Sequence, residues 1–237
     1  MGLQSSGYKI DIVFVIDATG SMTPIMDQVR QKALTLHEDI TAGLKAANKP
    51  VSELRLRVID FADYASEGED AIHQTAFFTM PQDKERFEAA INGIVIDRRG
   101  GDDPENALEA LFIAMNSDWV KISTGEKGRH IIVLLTDAQP LNLQERAGCV
   151  GYPADELPEN VTQLEEIWNE DEQSKTTSLS KKDSRLVLFV PDGKDEAGHD
   201  WKSVMSWERT VVMNVDPSEG LKNITLDHIV AEIVRSC

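Results

Sequence analysis

The chain has 237 residues, 41% of them hydrophobic, and its 24 Lys and Arg stand against 41 Asp and Glu for a formal net charge of −17. A single α/β domain of this length buries enough surface to need no disulfide or metal staple, and a mean hydropathy of −0.30 excludes a disordered chain. No apolar run approaches the roughly 20 residues of a membrane span, and so acidic a surface repels phosphate backbones, which excludes nucleic acid as a partner.

Residues 1–8 read as an N-terminal extension with no apolar signal segment. Lys9–Ile16 is almost wholly apolar and rich in Val and Ile, as a strand buried on both faces of a parallel sheet must be. Thr23 is expected to cap a helix with Pro24 in its first position. Ile25, Val29, Ala33, Leu36, Ile40 and Leu44 then form one apolar stripe that stops at Asn48-Lys49-Pro50.

Glu53–Phe61 alternates as a second strand, Gln74–Thr79 as a short edge strand, and Lys84–Asn92 as a short helix. Pro104 is expected to open the next helix, with Leu108, Leu111, Phe112 and Met115 on one face. His130–Leu135, Leu186–Val190 and Thr210–Val215 are further strands, and Thr225 caps a closing helix. This alternation predicts an α/β fold with a doubly wound, mostly parallel sheet and helices on both faces.

One segment, 141–184, is too long for an ordinary crossover and reads as an elaboration of a single domain over 9–237. It carries one patterned helix, Pro158–Asn169, and the unpatterned apolar residues Leu143, Val150, Tyr152 and Leu157. Cys149 and Cys237 form no disulfide framework and no zinc set, and two free thiols suit a reducing, cytoplasmic setting.

The residues that carry chemistry cluster at expected strand ends. Asp17-Ala18-Thr19-Gly20-Ser21 follows the first strand, so a sharp turn can point one carboxylate and two hydroxyls inward. That hard-oxygen set suits Mg²⁺ and suits zinc poorly. A second acidic loop is Gly100-Gly101-Asp102-Asp103-Pro104-Glu105, where Asp103 also reads as a helix cap. Asp137 follows the strand that ends at Leu135-Thr136. In open α/β sheets, ligands bind at the carboxyl ends of strands beside the switch point, and all three loops belong there.

In these motifs the sequence resembles a von Willebrand factor A (vWA) domain with a metal-ion-dependent adhesion site, of the stand-alone intracellular type. The resemblance covers about residues 8–236 and weakens within 141–184. It implies a Rossmann-like fold and a metal site of Asp17, Thr19, Ser21, Asp102 and Asp137. In such a site the two hydroxyls and a second-loop side chain hold Mg²⁺ or Mn²⁺ directly, and the other aspartates act through water. One coordination position is left for an Asp or Glu of a partner protein. The second loop departs from adhesion-type members, which often have Thr there. Matching the Gly-Gly-Asp-x-Pro-Glu form of intracellular relatives selects Asp102, counting from the first glycine selects Asp103, and a capping role for Asp103 favours Asp102. The alternative reading is a Mg²⁺-dependent phosphotransfer or hydrolytic enzyme. Against it, an aspartyl-nucleophile site wants a second Asp where this chain has Thr19, and no nucleophile elbow or P-loop is present.

Overall fold

The computed structural model describes residues 7–96, 104–170, 177–216 and 221–237. Its strands are β1 (Tyr8–Asp17), β2 (Val51–Phe61), β3 (Ile72–Gln74), β4 (Phe78–Met80), β5 (Lys127–Leu135), β6 (Ser184–Pro191) and β7 (Thr210–Val215). They form one sheet in the order β3-β2-β1-β5-β6-β7, with β4 also pairing β2. The β2-β1, β1-β5, β5-β6 and β6-β7 pairs are parallel; only β3 and β4 run antiparallel. The chain moves outward from β1 to β2, then returns to add β5 on the other flank of β1. The switch point therefore lies between the carboxyl ends of β1 and β5.

The helices are α1 (Thr23–Lys32), α2 (Leu36–Ala46), α3 (Tyr64–Glu67), α4 (Lys84–Gly93), α5 (Ala107–Met115), α6 (Val161–Trp168), α7 (Lys202–Met205) and α8 (Leu226–Ser236). Alternate residues of the central strands feed two cores. Ile10, Ile12, Phe14 and Ile16 of β1 meet Ile25, Leu36, Phe87 and Ile229 of α1, α2, α4 and α8. Val13 and Val15 share the opposite core with Leu108 and Leu111 of α5, Leu164 and Trp168 of α6, and Val204 of α7. The sheet is thus covered on both faces, as its Val- and Ile-rich strands require.

Several expected elements differ in detail. The apolar stripe after Thr23 is carried by two helices. The amides of Ala33 and Thr35 bond back to Arg30 and Lys32, and the Thr35 hydroxyl donates to the Lys32 carbonyl at 3.3 Å, so the chain tightens there. Ala33 and Leu36 stay buried across the break, so the stripe survives it. Thr23 is no cap: it is inside α1, and its hydroxyl donates to the Gly20 carbonyl at 2.7 Å.

The edge strand expected over Gln74–Thr79 is two strands, β3 and β4, which meet different stretches of β2. Pro104 does not open α5. Glu105 bridges in parallel to Pro140, and the helix starts at Ala107. The helix expected over Pro158–Asn169 is α6, capped by Asn160, whose side-chain oxygen accepts from the amides of Thr162 and Gln163. At the closing helix the expected Thr225 cap is present, completed by His228 into a reciprocal box.

Candidate metal centre

Four of the five expected site residues fall among the described ones, and all four meet at the switch point. Asp17 ends β1 with no exposed surface. The amide of Ala18 donates to the Phe61 carbonyl at 2.8 Å, so the loop stays attached to β2 as it leaves the sheet. The chain then turns through a short 3-10 helix at Gly20–Met22 into α1. This turn brings Thr19 back over Asp17: its amide and hydroxyl donate to Asp17 Oδ1 at 2.8 and 2.6 Å. The hydroxyls of Thr19 and Ser21 lie 3.3 Å apart, and Ser21 donates to Asp137 Oδ1 at 2.8 Å. Asp102 and Asp103 lie outside the described residues.

Thr136 was not among the expected site residues, although it adjoins Asp137. Its hydroxyl donates to Asp17 Oδ2 at 2.6 Å and accepts from the Ala138 amide at 3.0 Å. It therefore ties the end of β1 to the loop after β5. The only sequence signal for it is a hydroxyl residue just before the acidic one. Asp137 is itself largely buried, and behind it the indole of Trp201 donates to the Ala138 carbonyl at 3.0 Å.

Burial pushes the Asp17 carboxyl up to about 6, although hydrogen bonds from Thr136 and Thr19 work the other way and the Asp137 charge adds to the rise. The Asp137 carboxyl is also raised by burial, against the hydrogen bond from Ser21. No Lys or Arg among the described residues acts on either group. Two carboxyls and two hydroxyls thus converge where hydrogen bonds offset only part of the cost of burying the acids, and a cation would offset more. Among the described residues no group of three or more His, Cys, Asp or Glu is placed to hold a metal. A metal here needs the hydroxyl oxygens, a donor set that fits a hard divalent cation.

Several polar contacts fasten the 141–184 elaboration to the same edge. Arg146 forks onto Asp63, just after β2, with Nε and Nη2 donating at 2.7 and 2.9 Å. The Tyr152 hydroxyl donates to Glu109 Oε1 of α5 at 2.8 Å and accepts from the Gln144 amide at 2.7 Å. His199, in the loop after β6, bridges Asp195 and Glu145 at 2.6 and 3.0 Å. Of the unpatterned apolar residues, Leu143, Tyr152 and Leu157 are buried, whereas Val150 is exposed. His130 is structural: Nδ1 accepts from the Ser180 amide, and Nε2 meets the Val120 carbonyl.

No curated protein matches this sequence. Among solved structures, "von Willebrand factor type A from Catenulispora acidiphila" is 15% identical, with a TM-score of 0.50, over 96% of this chain and 43% of that one. The pilus adhesin SpaC from Lactobacillus rhamnosus GG is 11% identical with a TM-score of 0.53, over 98% of this chain and 31% of that one. The PilB minor pilin from Streptococcus sanguinis is 15% identical with a TM-score of 0.52, over 99% and 62%. This chain therefore spans less than two thirds of each of these proteins, and at such identity the likeness is one of fold. No helix among the described residues is long and apolar enough to cross a membrane. The family model for the von Willebrand factor type A domain matches residues 12–139, from the first buried strand through the loop after β5. The chain belongs to the von Willebrand factor type A domain family.

Proposed function

We propose that this protein is a metal-dependent protein-binding module. In this reading Mg²⁺, or Mn²⁺, sits at the switch point and presents itself to an acidic side chain of a partner protein. The observation that carries the reading is the convergence of the buried carboxyls of Asp17 and Asp137 with the more exposed hydroxyls of Thr19 and Ser21, and no Lys or Arg among the described residues acts on either carboxyl. The cation would be held by the hydroxyls of Thr19 and Ser21 and by a carboxylate of the second loop, with Asp17 and Asp137 acting through water. Bound there, it would supply positive charge to a site the chain leaves acidic, and an open position for an incoming carboxylate.

The second-loop ligand is Asp102 or Asp103. The preference for Asp102 rested on Asp103 capping the helix, and α5 instead starts at Ala107 with Asn106 before it. Single Asn variants at the two positions separate them by loss of metal affinity. An enzymatic reading finds less support: Asp17 is fully buried and both its oxygens accept hydrogen bonds, a poor state for a nucleophile. We place the protein in a cytoplasmic complex, a setting with which its two free cysteines are compatible.

Isothermal calorimetry with Mg²⁺ and with Mn²⁺ tests the site, followed by titration of a glutamate-containing peptide into the metal-loaded protein. Wild type is expected to bind metal and then peptide, and Asp17→Asn to bind neither. Metal binding that survives in Asp17→Asn would place the ion elsewhere.

A further inference from the structure

Away from the switch point, the elaboration builds a second recess. Helices α5 and α6 and the turn at 156–158 enclose an open groove of about 480 Å³, within the range of ligand-binding clefts. Its floor is apolar, made by Phe112, Leu157 and Ile167. Phe112 and Ile167 are only partly buried against the core beneath. Its rim is acidic: Glu156, Glu166 and Glu170 all line it, and no Lys or Arg among the described residues does.

Two of the rim carboxylates, Glu156 and Glu166, are open to solvent. Glu166 lies on α6, and Glu170 follows within a turn, its amide bonding back to the Ile167 carbonyl at 3.3 Å. Neither Glu156 nor Glu166 pairs with a Lys or Arg among the described residues. A ligand that brings positive charge to the rim and apolar area to the floor would complement both.

We propose that this groove docks a basic, amphipathic peptide segment of a partner protein: a bulky apolar side chain seated on Phe112 and Ile167, flanked by Lys or Arg that meet Glu156 and Glu166. Anionic ligands are excluded by the same rim. The surface does not use the residues of the proposed metal centre, so the two recognition events are separable.

The test is fluorescence anisotropy with three labelled synthetic peptides. One carries Leu and Phe among lysines, one has glutamines in place of the lysines, and one has lysines and glycines without the apolar pair. At low salt the first is expected to bind at least about tenfold more tightly than either control, because charge and apolar contact both contribute. The double reversal Glu156→Lys with Glu166→Lys should weaken it by about tenfold or more. A charge-matched reversal on the exposed start of α2, Glu38→Lys with Asp39→Lys, should leave it within about twofold. EDTA should change nothing. If circular dichroism shows the reversed variant unfolded, Glu156→Gln with Glu166→Gln decides, with a loss of about threefold or more expected. Equal loss in the α2 control, equal binding of the peptide without apolar residues, or no binding to wild type would each overturn the proposal.

Discussion

Asp11 and Asp17 share β1 and are both fully buried, yet they are compensated differently. Asp11 receives the Arg55 guanidinium at 2.8 and 2.5 Å and the Val120 amide at 2.6 Å. Asp17 receives two hydroxyls and an amide, and its carboxyl is left high. A third buried acid, Glu109, is pushed up to about 7 by burial, against the hydrogen bond from Tyr152. The native state therefore favours the protonated form. The stability this confers is complete below the ordinary value near 4.5 and is lost as pH rises through 7. Glu109→Gln should remove that dependence, so its stability relative to wild type climbs between pH 4.5 and 7 by an amount on the order of 3 kcal/mol and then levels. Urea melts at a series of pH values measure it, and a constant difference would show that folding leaves the Glu109 pKa unshifted. In the sequence, the meeting of Asp17, Thr19, Ser21 and Asp137 was legible because acidic and hydroxyl residues followed two all-apolar runs. Thr136 was not, because its hydroxyl serves Asp17 only once β5 lies beside β1. Asp102 gains nothing from the described residues, and the capping argument that favoured it over Asp103 does not survive the start of α5 at Ala107.

Among the elements, local pattern sufficed where hydrogen bonding is local or burial is two-sided. Strands β1, β5, β6 and β7 and helix α8 stand where the apolar pattern put them. Partners distant in sequence account for other misses: β3 and β4 exist as separate strands because each meets its own stretch of β2, and Pro104 precedes a bridge to Pro140. The break between α1 and α2 was hidden because the buried positions keep their spacing across it. The elaboration is held by a few polar clasps, and these set its local stability. Arg146→Ala removes the fork to Asp63; both side chains are partly exposed, so a loss of about 1 kcal/mol is expected. Hydrogen exchange should quicken in 141–157 before the core strands respond, and uniform quickening would contradict a local role. The His199 clasp is pH-dependent. Burial opposes its charge, but Asp195 and Glu145 outweigh that and raise its pKa above the ordinary 6.5. The bridge is fully formed below 6.5 and loosens as pH rises through the raised value. Exchange in the 192–200 loop should therefore accelerate on the alkaline side in wild type and be independent of pH in His199→Gln, once corrected for intrinsic rates.

For the whole molecule, a net charge of −17 makes the fold self-repelling, and two of its buried acids, Asp17 and Asp137, meet at the carboxyl ends of β1 and β5. The architecture was legible because alternating apolar runs leave few ways to cover a parallel sheet. The proposed use of the carboxyl ends of its strands rests on the rule that ligands of such sheets collect at the switch point. The most direct test of the metal-dependent reading is calorimetric melting in EDTA and in Mg²⁺, for wild type and for Ser21→Ala. With free Mg²⁺ at 100 times its dissociation constant, the ion should add about 2.7 kcal/mol, a rise of about 5 to 10 °C for a domain of this size. Ser21→Ala should fold with a similar Tm in EDTA and lose most of that rise. Equal Tm values for wild type in EDTA and in millimolar Mg²⁺, with no heat of binding, would contradict the account.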